Sequence, residues 1–264
     1  MRWENLTSPA LDAFDRNTPV VLNIGAIEQH GAHLPLVTDA LIGRHFTGLV
    51  DDVLGDDVLI LPQVAICCSE HHMSFAGSLT LTHETMLAYV SDVLSSVIAH
   101  GFTNIILFNS HGGNLAIGQV IMEKLGHRYP DVDFFMLTWW KLAPEALRAL
   151  QESEFGGVGH ACEFETSMLL HIAPELVDLD AAQDTPLQTS FTWADADLLT
   201  GSRGSHQRSM AELTAHTGVF GAPSYATADK GKKIIDIVTD EFVMMLRDIF
   251  ARKTHSPSTP HSQG

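Results

Sequence analysis

Short apolar runs rich in β-branched residues alternate along this chain with longer segments of helical periodicity. Four runs have the length and composition of buried strands: 19–25, 58–66, 104–109 and 132–138. After the second run, apolar residues recur every three or four positions, as on one face of a helix that Gly101 would end: Leu87, Val90, Leu94 and Val97. Strands that alternate with helices indicate βαβ units. The pattern therefore predicts an α/β fold with a mainly parallel sheet.

The remaining patterns indicate one domain. A helical repeat follows the third run at 117–125, and a last helix has a continuous apolar face: Ile234, Val238, Phe242, Met245 and Ile249. Residues 178–228 are rich in Gly, Ser, Thr and Asp, which predicts loops and short elements that could form a lid or a subunit contact. Since 45% of the 264 residues are hydrophobic, we expect a single domain over 1–252 and a disordered tail over 253–264.

Charge and cysteine content exclude several classes of partner. Thirty-two acidic residues against fifteen Lys and Arg give a formal charge of -17, the wrong sign for binding nucleic acid or an anionic membrane. The first residues show no secretory pattern, and no apolar stretch reaches about eighteen residues. The three cysteines include the adjacent pair Cys67 and Cys68, which cannot support an ordinary disulfide framework. We therefore expect a cytoplasmic protein.

A polar segment directly after the first apolar run carries two of the chain's fifteen histidines and one acidic residue. It reads GAIEQHGAHLP over 25–35 and is followed by Asp39. In an extended chain, Glu28 and His30 would share one face with Gln29 opposite, and Asp39 at a helix start could add a second carboxylate. Such ligands suit Zn, Mn or Fe. The alternative is a polar loop in which Asp39 caps a helix and the histidines are solvated.

The second polar segment, FNSHGGN over 108–114, lies between the third apolar run and the next helix. Its glycine pair would let the backbone approach a phosphate, but neither GxGxxG nor a Walker lysine is present. His111 fits better as a further imidazole that converges on the first segment. The alternative is a helix-capping loop with a surface histidine.

The third polar segment, HACEFETS over 160–167, leads into a helical run. Glu163 and Glu165 point in different directions if both are helical, so we expect one of them to face the cavity. The alternative is an acid-rich first turn that complements the helix dipole.

Taken together, EQHGAHLP with Asp39, NSHGGN and HACEFETS resemble the motifs of the creatininase (creatinine amidohydrolase) family in order and separation. The resemblance runs from about Pro19 to Pro174. It implies a three-layer α/β/α fold with a mainly parallel sheet, two divalent metal ions, and hydrolysis of non-peptide C–N bonds in small molecules. It also implies a homo-oligomer, often a hexamer.

The resemblance assigns metal ligands by position. Glu28 and His111 would hold one ion, His30 would hold the other, and Asp39 would bridge them. In creatininases proper, an acid two places after the histidine of the second motif is a further ligand, and here that place is Gly113. This departure argues against creatinine as the substrate.

A branch of the family with a GHGGN-type second motif has its acid in an HAGE segment instead. By this resemblance Glu163 supplies the missing metal ligand and His160 is the catalytic proton-transfer residue, while Cys162 replaces the usual glycine. Three candidate substrate-binding residues complete the predicted site: His72, Phe75 and Asn114.

The resulting hypothesis is a two-metal-dependent amidohydrolase that cleaves a cyclic amide or formamide-type bond with a metal-activated hydroxide. A Cys162 thiolate is a rival nucleophile, although the neighbouring acids would raise its pKa. Ser110 and Ser167 lack the G-x-S-x-G context of serine hydrolases. The alternative functions are a metal-dependent isomerase or lyase on a small carbonyl compound, and a non-catalytic metal- or ligand-binding protein.

Overall fold

The computed structural model describes residues 1–252, whose central element is a four-stranded parallel sheet. Its strands are β1 (Val20–Ile24), β2 (Leu59–Ile60), β3 (Asn104–Asn109) and β4 (Asp133–Thr138), in the order β2-β1-β3-β4. β1 pairs with β3 along its whole length, from Val20 opposite Ile105 to Ile24 opposite Asn109. The predicted parallel sheet is confirmed, whereas the predicted tail at 253–264 lies outside the described residues.

The second strand is shorter than the apolar run that predicted it. The run extends over 58–66, but the strand ends at Ile60. Pro62 follows and has no N–H to donate to a ladder, so regular pairing stops there. Beyond the proline, Val64 makes one isolated parallel bridge to Ile24 at the end of β1.

Nine α-helices are described between residues 1 and 252, and the longest cover the sheet. They are α1 (Ser8–Asp12), α2 (Thr38–Leu54), α3 (His83–Ala99), α4 (Leu115–Arg128), α5 (Trp139–Leu142), α6 (Pro144–Leu150), α7 (Glu163–Ile172), α8 (Met210–Leu213) and α9 (Ala228–Ala251). α3 carries the predicted apolar face. It begins at His83 because the Thr82 hydroxyl caps the helix by accepting a hydrogen bond from the Thr85 backbone N–H. It ends before Gly101, whose φ of +92° suits glycine.

Alternating residues of the buried strands enter two hydrophobic cores. Val21 of β1 and Phe108 of β3 pack in the core formed with α2, α7 and α9. Leu22 and Leu107, one position away, pack in the core formed with α3 and α4. Because successive strand side chains point to opposite faces, this division produces three layers, α/β/α, as expected.

A small antiparallel sheet stands beside the main one. It joins β5 (Val158–His160) to β6 (Phe220–Gly221), with His160 opposite Phe220. A Cβ at Gly159 would lie 2.5 Å from the Phe220 ring, so the absence of a side chain there permits the pairing. Most of 178–228 consists of loops and short elements, as predicted.

The strand order places a crevice at one edge of the main sheet. From β1 the chain adds β2 on one side and then β3 on the other, so the direction of winding reverses between β1 and β3. In open α/β sheets, ligands bind at the carboxyl ends of the strands at such a reversal. Within 1–252, no helix has both the length and the apolar character that crossing a membrane requires.

Candidate metal centre

Side chains from four separate positions of the chain meet in this crevice. Glu28 and His30 follow β1, Asp39 lies in the first turn of α2, and His111 follows β3. His30 Nε2 lies 3.3 Å from Asp39 Oδ1. His111 Nδ1 lies 2.9 Å from Asp39 Oδ2 and 3.3 Å from Glu28 Oε1. The structure therefore brings together the four residues that the first two polar segments supplied.

Several donor atoms in this cluster are buried and face only other charged side chains of the cluster. Among the described residues, both carboxylate oxygens of Glu28, Nε2 of His30 and Oδ2 of Asp39 are inaccessible to solvent, and apart from contacts within the cluster they have no hydrogen-bond partner. Burying a charge without compensation costs several kcal/mol. Oxygen and imidazole nitrogen atoms are also the ligands that Zn, Mn and Fe accept. The donor set therefore fits divalent cations.

Backbone carbonyls orient two of the imidazoles. His30 Nδ1 donates to the carbonyl oxygen of Glu28 at 3.1 Å, and His111 Nε2 donates to that of Cys68 at 2.9 Å. Each ring then directs its other nitrogen towards the carboxylates, where that nitrogen could bind a metal ion after losing its proton. Outer hydrogen bonds of this kind commonly fix the tautomer of metal-binding histidines.

The charged groups of the cluster shift each other's pKa values. Burial disfavours the charged form of His30, but Asp39 outweighs this effect and raises the pKa of His30 to about 9. Burial likewise disfavours charged Asp39, but His30 and His111 hold its pKa well below the usual range. The pKa of His111 is raised because Glu28 and Asp39 together outweigh its burial. Without a metal, protons thus supply the positive charge that the carboxylates require.

The two acids of the third segment face in different directions. Glu163, the predicted ligand, is not brought into the cluster: its Oε1 lies 2.5 Å from Lys230 Nζ, and its Oε2 accepts a hydrogen bond from the Ser153 backbone at 3.1 Å. This carboxylate is therefore engaged by a lysine and by backbone N–H groups, which corrects the expectation for Glu163.

Glu165 takes the place that was expected for Glu163. Its carboxylate oxygen and the ring nitrogens of His30 and His160 lie within 4.8 Å of one another. Its Oε2 also accepts the Ala161 backbone N–H at 2.6 Å. Burial, with a further contribution from Asp39, raises the pKa of Glu165 to about 7. Glu165 is thus the acid of α7 that joins the four residues already described in the cluster.

His160, the predicted proton carrier, is held above the cluster by Gln29. Its Nε2 donates to the Gln29 carbonyl oxygen at 2.7 Å, and its Nδ1 lies 3.7 Å from Glu28 Oε1. Its ring packs on His30 at a centroid distance of 4.2 Å. Burial and the charge of His30 lower the pKa of His160 well below its usual value. The neutral ring therefore presents one free nitrogen to the cluster.

In an ideal strand the side chain of Gln29 would point away from those of Glu28 and His30. In the structure it lies beside the cluster instead. Its Nε2 lies 3.0 Å from His72 Nδ1, to which it donates. His72 then carries its proton on Nε2, which lies 3.2 Å from Glu28 Oε1. His72 is thus in the buried cluster as a neighbour of Glu28, and Gln29 is a positioning residue that sequence reasoning missed.

The other two candidate substrate contacts are placed elsewhere. Asn114 is fully buried, and its amide donates to the Gly25 carbonyl and accepts from the Cys68 N–H, so it ties two loops together. A cavity of about 110 Å³ lies over the cluster, and neither Asn114 nor Phe75 is among the described residues that line it. The described residues that do line it include His71 and Trp140, neither of which was among the predicted substrate contacts.

Cys162 lies outside the reactive space. Its side chain is fully buried in the core that contains Phe164, and burial together with Glu165 raises the pKa of its thiol well above the usual value. A nucleophilic thiolate needs accessible, positively charged surroundings. The geometry therefore gives no support to the rival cysteine mechanism.

Comparison with known proteins agrees with this geometry. The family model for creatininase, described as creatinine amidohydrolase, matches residues 4–246. The mycofactocin precursor peptide peptidase of Mycobacterium ulcerans is 29% identical over 248 residues, which cover 90% of this chain and 86% of that protein. The creatinine amidohydrolase of Pseudomonas putida is 25% identical over 245 residues, which cover 88% of this chain and 89% of that protein.

Solved creatininase structures share the fold. A creatininase variant in complex with creatine has a TM-score of 0.80 and 23% identity, covering 94% of this chain and 98% of that one. Further solved creatininases are described as a Zn–Zn type and a Mn form. These matches confirm the resemblance that the three polar segments carry. Because the family model spans nearly the whole described chain, the protein belongs to the creatininase family of amidohydrolases.

Proposed function

We propose that this protein is a two-metal-dependent amidohydrolase that cleaves a non-peptide C–N bond, of the cyclic amide or formamide type, in a small molecule. The observation that supports it most directly is the set of buried donor atoms on Glu28, His30 and Asp39, which contact only one another and neighbouring imidazoles. One ion would be held by Glu28, Asp39 and His111. The other would be held by His30, Asp39 and Glu165, so that Asp39 serves both.

The charge of the cluster favours two ions over one. Glu28, Asp39 and Glu165 together carry three negative charges when ionised, so two divalent ions leave about one positive charge before substrate or hydroxide binds. A single ion would leave the buried site negative. Ions bound there would polarise a substrate carbonyl and lower the pKa of a bound water from 15.7 to about 7. Relatives described in Zn and Mn forms make these metals, with Fe, the candidates to test.

The chain's own contribution to the reaction is proton transfer by His160. Its Nε2 is committed to the Gln29 carbonyl, so the proton moves at Nδ1, the nitrogen that faces Glu28. We expect Nδ1 to take a proton from the attacking water and to deliver it to the departing nitrogen. An amine is a poor leaving group without that proton, and positioned acid catalysis is typically worth 10²–10⁴-fold.

The cavity over the cluster matches a small reacting group. Its volume is about 110 Å³, and Trp140, Leu198 and Met210 contribute its apolar wall. That wall would exclude water from the amide while it reacts. A larger cleft of about 650 Å³ adjoins the cavity, and His71, Gly112 and Gly113 line both. The reactive bond would occupy the cavity, and the remainder of the substrate would lie in the cleft.

The cleft also favours a second candidate, cleavage of a C–N bond within a peptide. A volume of about 650 Å³ exceeds the needs of a molecule the size of creatinine. The relative from Mycobacterium ulcerans is described as a peptide peptidase. Short peptides therefore belong in any substrate panel.

The test is metal content followed by a substrate panel. We expect the reconstituted protein to bind two divalent ions, measured by elemental analysis, and to add one water to at least one lactam, cyclic urea or formamide. A chelator should abolish that activity, and the metal should restore it. Hydrolysis of a peptide alone would favour the second candidate. A product with the same mass as its substrate would identify an isomerase, and stoichiometric metal without turnover would identify a binding protein; either result contradicts the proposal.

The proposal extends to assembly and location. By family resemblance we expect a homo-oligomer, often hexameric in this family, that acts on a small molecule in the cytoplasm. Light scattering coupled to size-exclusion chromatography measures the mass directly. A monomer at micromolar concentration would contradict the assembly and leave the chemistry to be tested separately.

A further inference from the structure

His71 is a half-buried imidazole that the proposed ligand set does not use. It lies in the short 3₁₀ turn Glu70–His72, and its donor nitrogen lies within 4.8 Å of the donor atoms of Glu28 and His111. Its ring stacks on that of His111, with centroids 5.7 Å apart and planes inclined by 17°. An additional imidazole thus stands beside one of the two proposed metal positions.

Gly113 provides the space for this ring. A Cβ at Gly113 would lie 2.8 Å from His71 Cε1 and would overlap the Cys68 carbonyl oxygen and His111 Nε2. A side chain at position 113 could therefore not enter the cluster without displacing His71. The ring of His71 and a side chain at 113 compete for the same place next to His111.

His71 also differs from the other imidazoles of the cluster in its hydrogen bonding. His30, His72, His111 and His160 each have one ring nitrogen engaged by Gln29 or by a backbone carbonyl. Among the described residues, no hydrogen-bond partner engages the ring of His71. Within residues 1–252, neither ring nitrogen of His71 is therefore committed to a hydrogen bond.

The position of His71 connects the cluster to the outside. It lines both the cavity of about 110 Å³ and the adjoining cleft of about 650 Å³. A group bound in the cleft would therefore meet His71 before it meets Glu28. This placement suits a ligand that is present before substrate binds and can be displaced by it.

We propose that His71 is a further ligand of the metal ion that Glu28 and His111 would hold, and that it fills the coordination position beside Gly113. The inference rests on the proposed two-metal site. It concerns one ion of the pair, because the donor atoms of His71 group with those of Glu28 and His111 and not with His30 or Glu165.

The test compares His71→Ala with His83→Ala, using Co²⁺ as the probe. His83 lines the same cleft but lies in the first turn of α3, outside the cluster, so it is a matched control. Affinity is measured by competition with a chromophoric chelator, and coordination by the visible absorption of bound Co²⁺. Loss of a side chain that only supports a metal ligand already weakens metal binding typically 10–100-fold. We expect His71→Ala to lower the affinity for one of the two Co²⁺ ions by at least about tenfold and to change the visible spectrum of that ion.

Two further variants complete the design. His71→Glu supplies a carboxylate oxygen in place of the imidazole nitrogen and should recover most of the lost affinity, and His71→Gln should recover little. Circular dichroism of each metal-free variant establishes that it is folded, and His71→Gln serves if His71→Ala does not fold. His83→Ala should match the wild-type protein in affinity and spectrum.

The outcomes separate this inference from the function on which it rests. Wild-type protein that binds fewer than two Co²⁺ contradicts the two-metal site and the role of His71 with it. Two tightly bound Co²⁺ in wild type, unchanged in affinity and spectrum in His71→Ala, contradict the role of His71 alone. In that case a raised KM in His71→Ala would make the residue a substrate contact.

Discussion

The ammonium group of Lys230 lies 2.5 Å from Oε1 of Glu163, and the two side chains are only 5% and 0% exposed. Glu163 is the first residue of α7, and Lys230 lies in the first turn of α9. The same carboxylate accepts hydrogen bonds from the backbone of Glu152 at 2.9 Å and of Ser153 at 3.1 Å. This buried pair therefore joins two helices to the segment that precedes β5.

Removing the lysine should destabilise the fold strongly. Lys230→Ala leaves the Glu163 carboxylate buried without its counter-charge, and such changes typically cost about 3–5 kcal/mol. We expect a loss of that size in the free energy of unfolding, measured with urea. Lys232→Ala is the control, because Lys232 pairs with Asp236 on the surface, where both side chains are more than half exposed. Its cost should be about 0.3–0.5 kcal/mol. Equal losses in the two variants would contradict the structural role of the buried pair.

The two acids of α7 should separate metal binding from stability. Glu165→Gln removes a carboxylate whose pKa burial raises to about 7, so the metal-free fold should tolerate the neutral amide. Its metal affinity should fall by at least about tenfold in a chelator competition. Glu163→Gln should keep the metal affinity and lose stability, because Lys230 then lacks an anion. The reverse result would restore Glu163 as the ligand.

Metal-free protein should lose stability as pH rises from 6.5 to 9. Although burial disfavours charged His30, Asp39 raises its pKa from 6.5 to about 9, so the folded state binds a proton there that the unfolded state has released. The stabilisation is complete below pH 6.5 and is lost as pH rises through about 9. Glu165, with its pKa raised to about 7, acts in the same direction at the lower end of this window. Urea unfolding at several pH values measures the slope.

Metal binding should show the complementary dependence. An ion at this site must displace the proton of His30, so its apparent affinity should increase up to about pH 9. Calorimetry in buffers of different ionisation enthalpy would count the protons released. The metal-loaded protein serves as the control in unfolding and should lack the decline above pH 6.5. A flat or rising stability of metal-free protein would contradict the protonated state of His30.

Adding one methyl group at Gly113 should disturb the site. The new Cβ would overlap the Cys68 carbonyl oxygen and His111 Nε2, which are hydrogen-bonded to each other. We expect Gly113→Ala to cost about 1–3 kcal/mol in unfolding and to weaken metal binding, because His111 must move. At Gly112 nothing lies within 4 Å of an added Cβ, so Gly112→Ala is the matched control. If both variants bind metal like wild type, the contact at Gly113 is unimportant.

Loss of the proposed proton carrier should affect catalysis more than binding. His160→Ala should lower kcat by roughly 10²–10⁴-fold, because positioned acid catalysis is worth that much. Metal content should equal that of the wild-type protein, because the proposed ligands of both ions are other residues. His171→Ala, an exposed histidine of α7, should retain full activity. Full activity in His160→Ala would exclude its role in proton transfer.

Much of the cluster could be predicted because parallel strands end at one edge of their sheet. Glu28 and His111 follow strands that are adjacent in the sheet, so their convergence follows from the βαβ pattern. The first turn of α2 returns Asp39 to the same edge. Predicting that residues at strand ends converge requires only the order and direction of the helices and strands, which the hydrophobic periodicity provides.

Two features could not be predicted because they depend on local departures from regular structure. Ala161 has φ +52°, a left-handed conformation that non-glycine residues rarely adopt, and in this conformation its N–H donates to the Glu165 carboxylate. Gln29 leaves the ideal strand alternation because only isolated bridges, at Ile27 and His30, hold this segment. An apolar residue such as Trp140 is expected in the core from its type alone, whereas the structure shows it both 4% exposed and lining the cavity.

The left-handed residue between His160 and Cys162 has a mechanical consequence. Its N–H holds the Glu165 carboxylate at 2.6 Å, so the imidazole at the end of β5 and the acid on α7 are braced across a single bend. The relative placement of the proposed proton carrier and the acid therefore depends on one hydrogen bond that closes within six consecutive residues, 160–165.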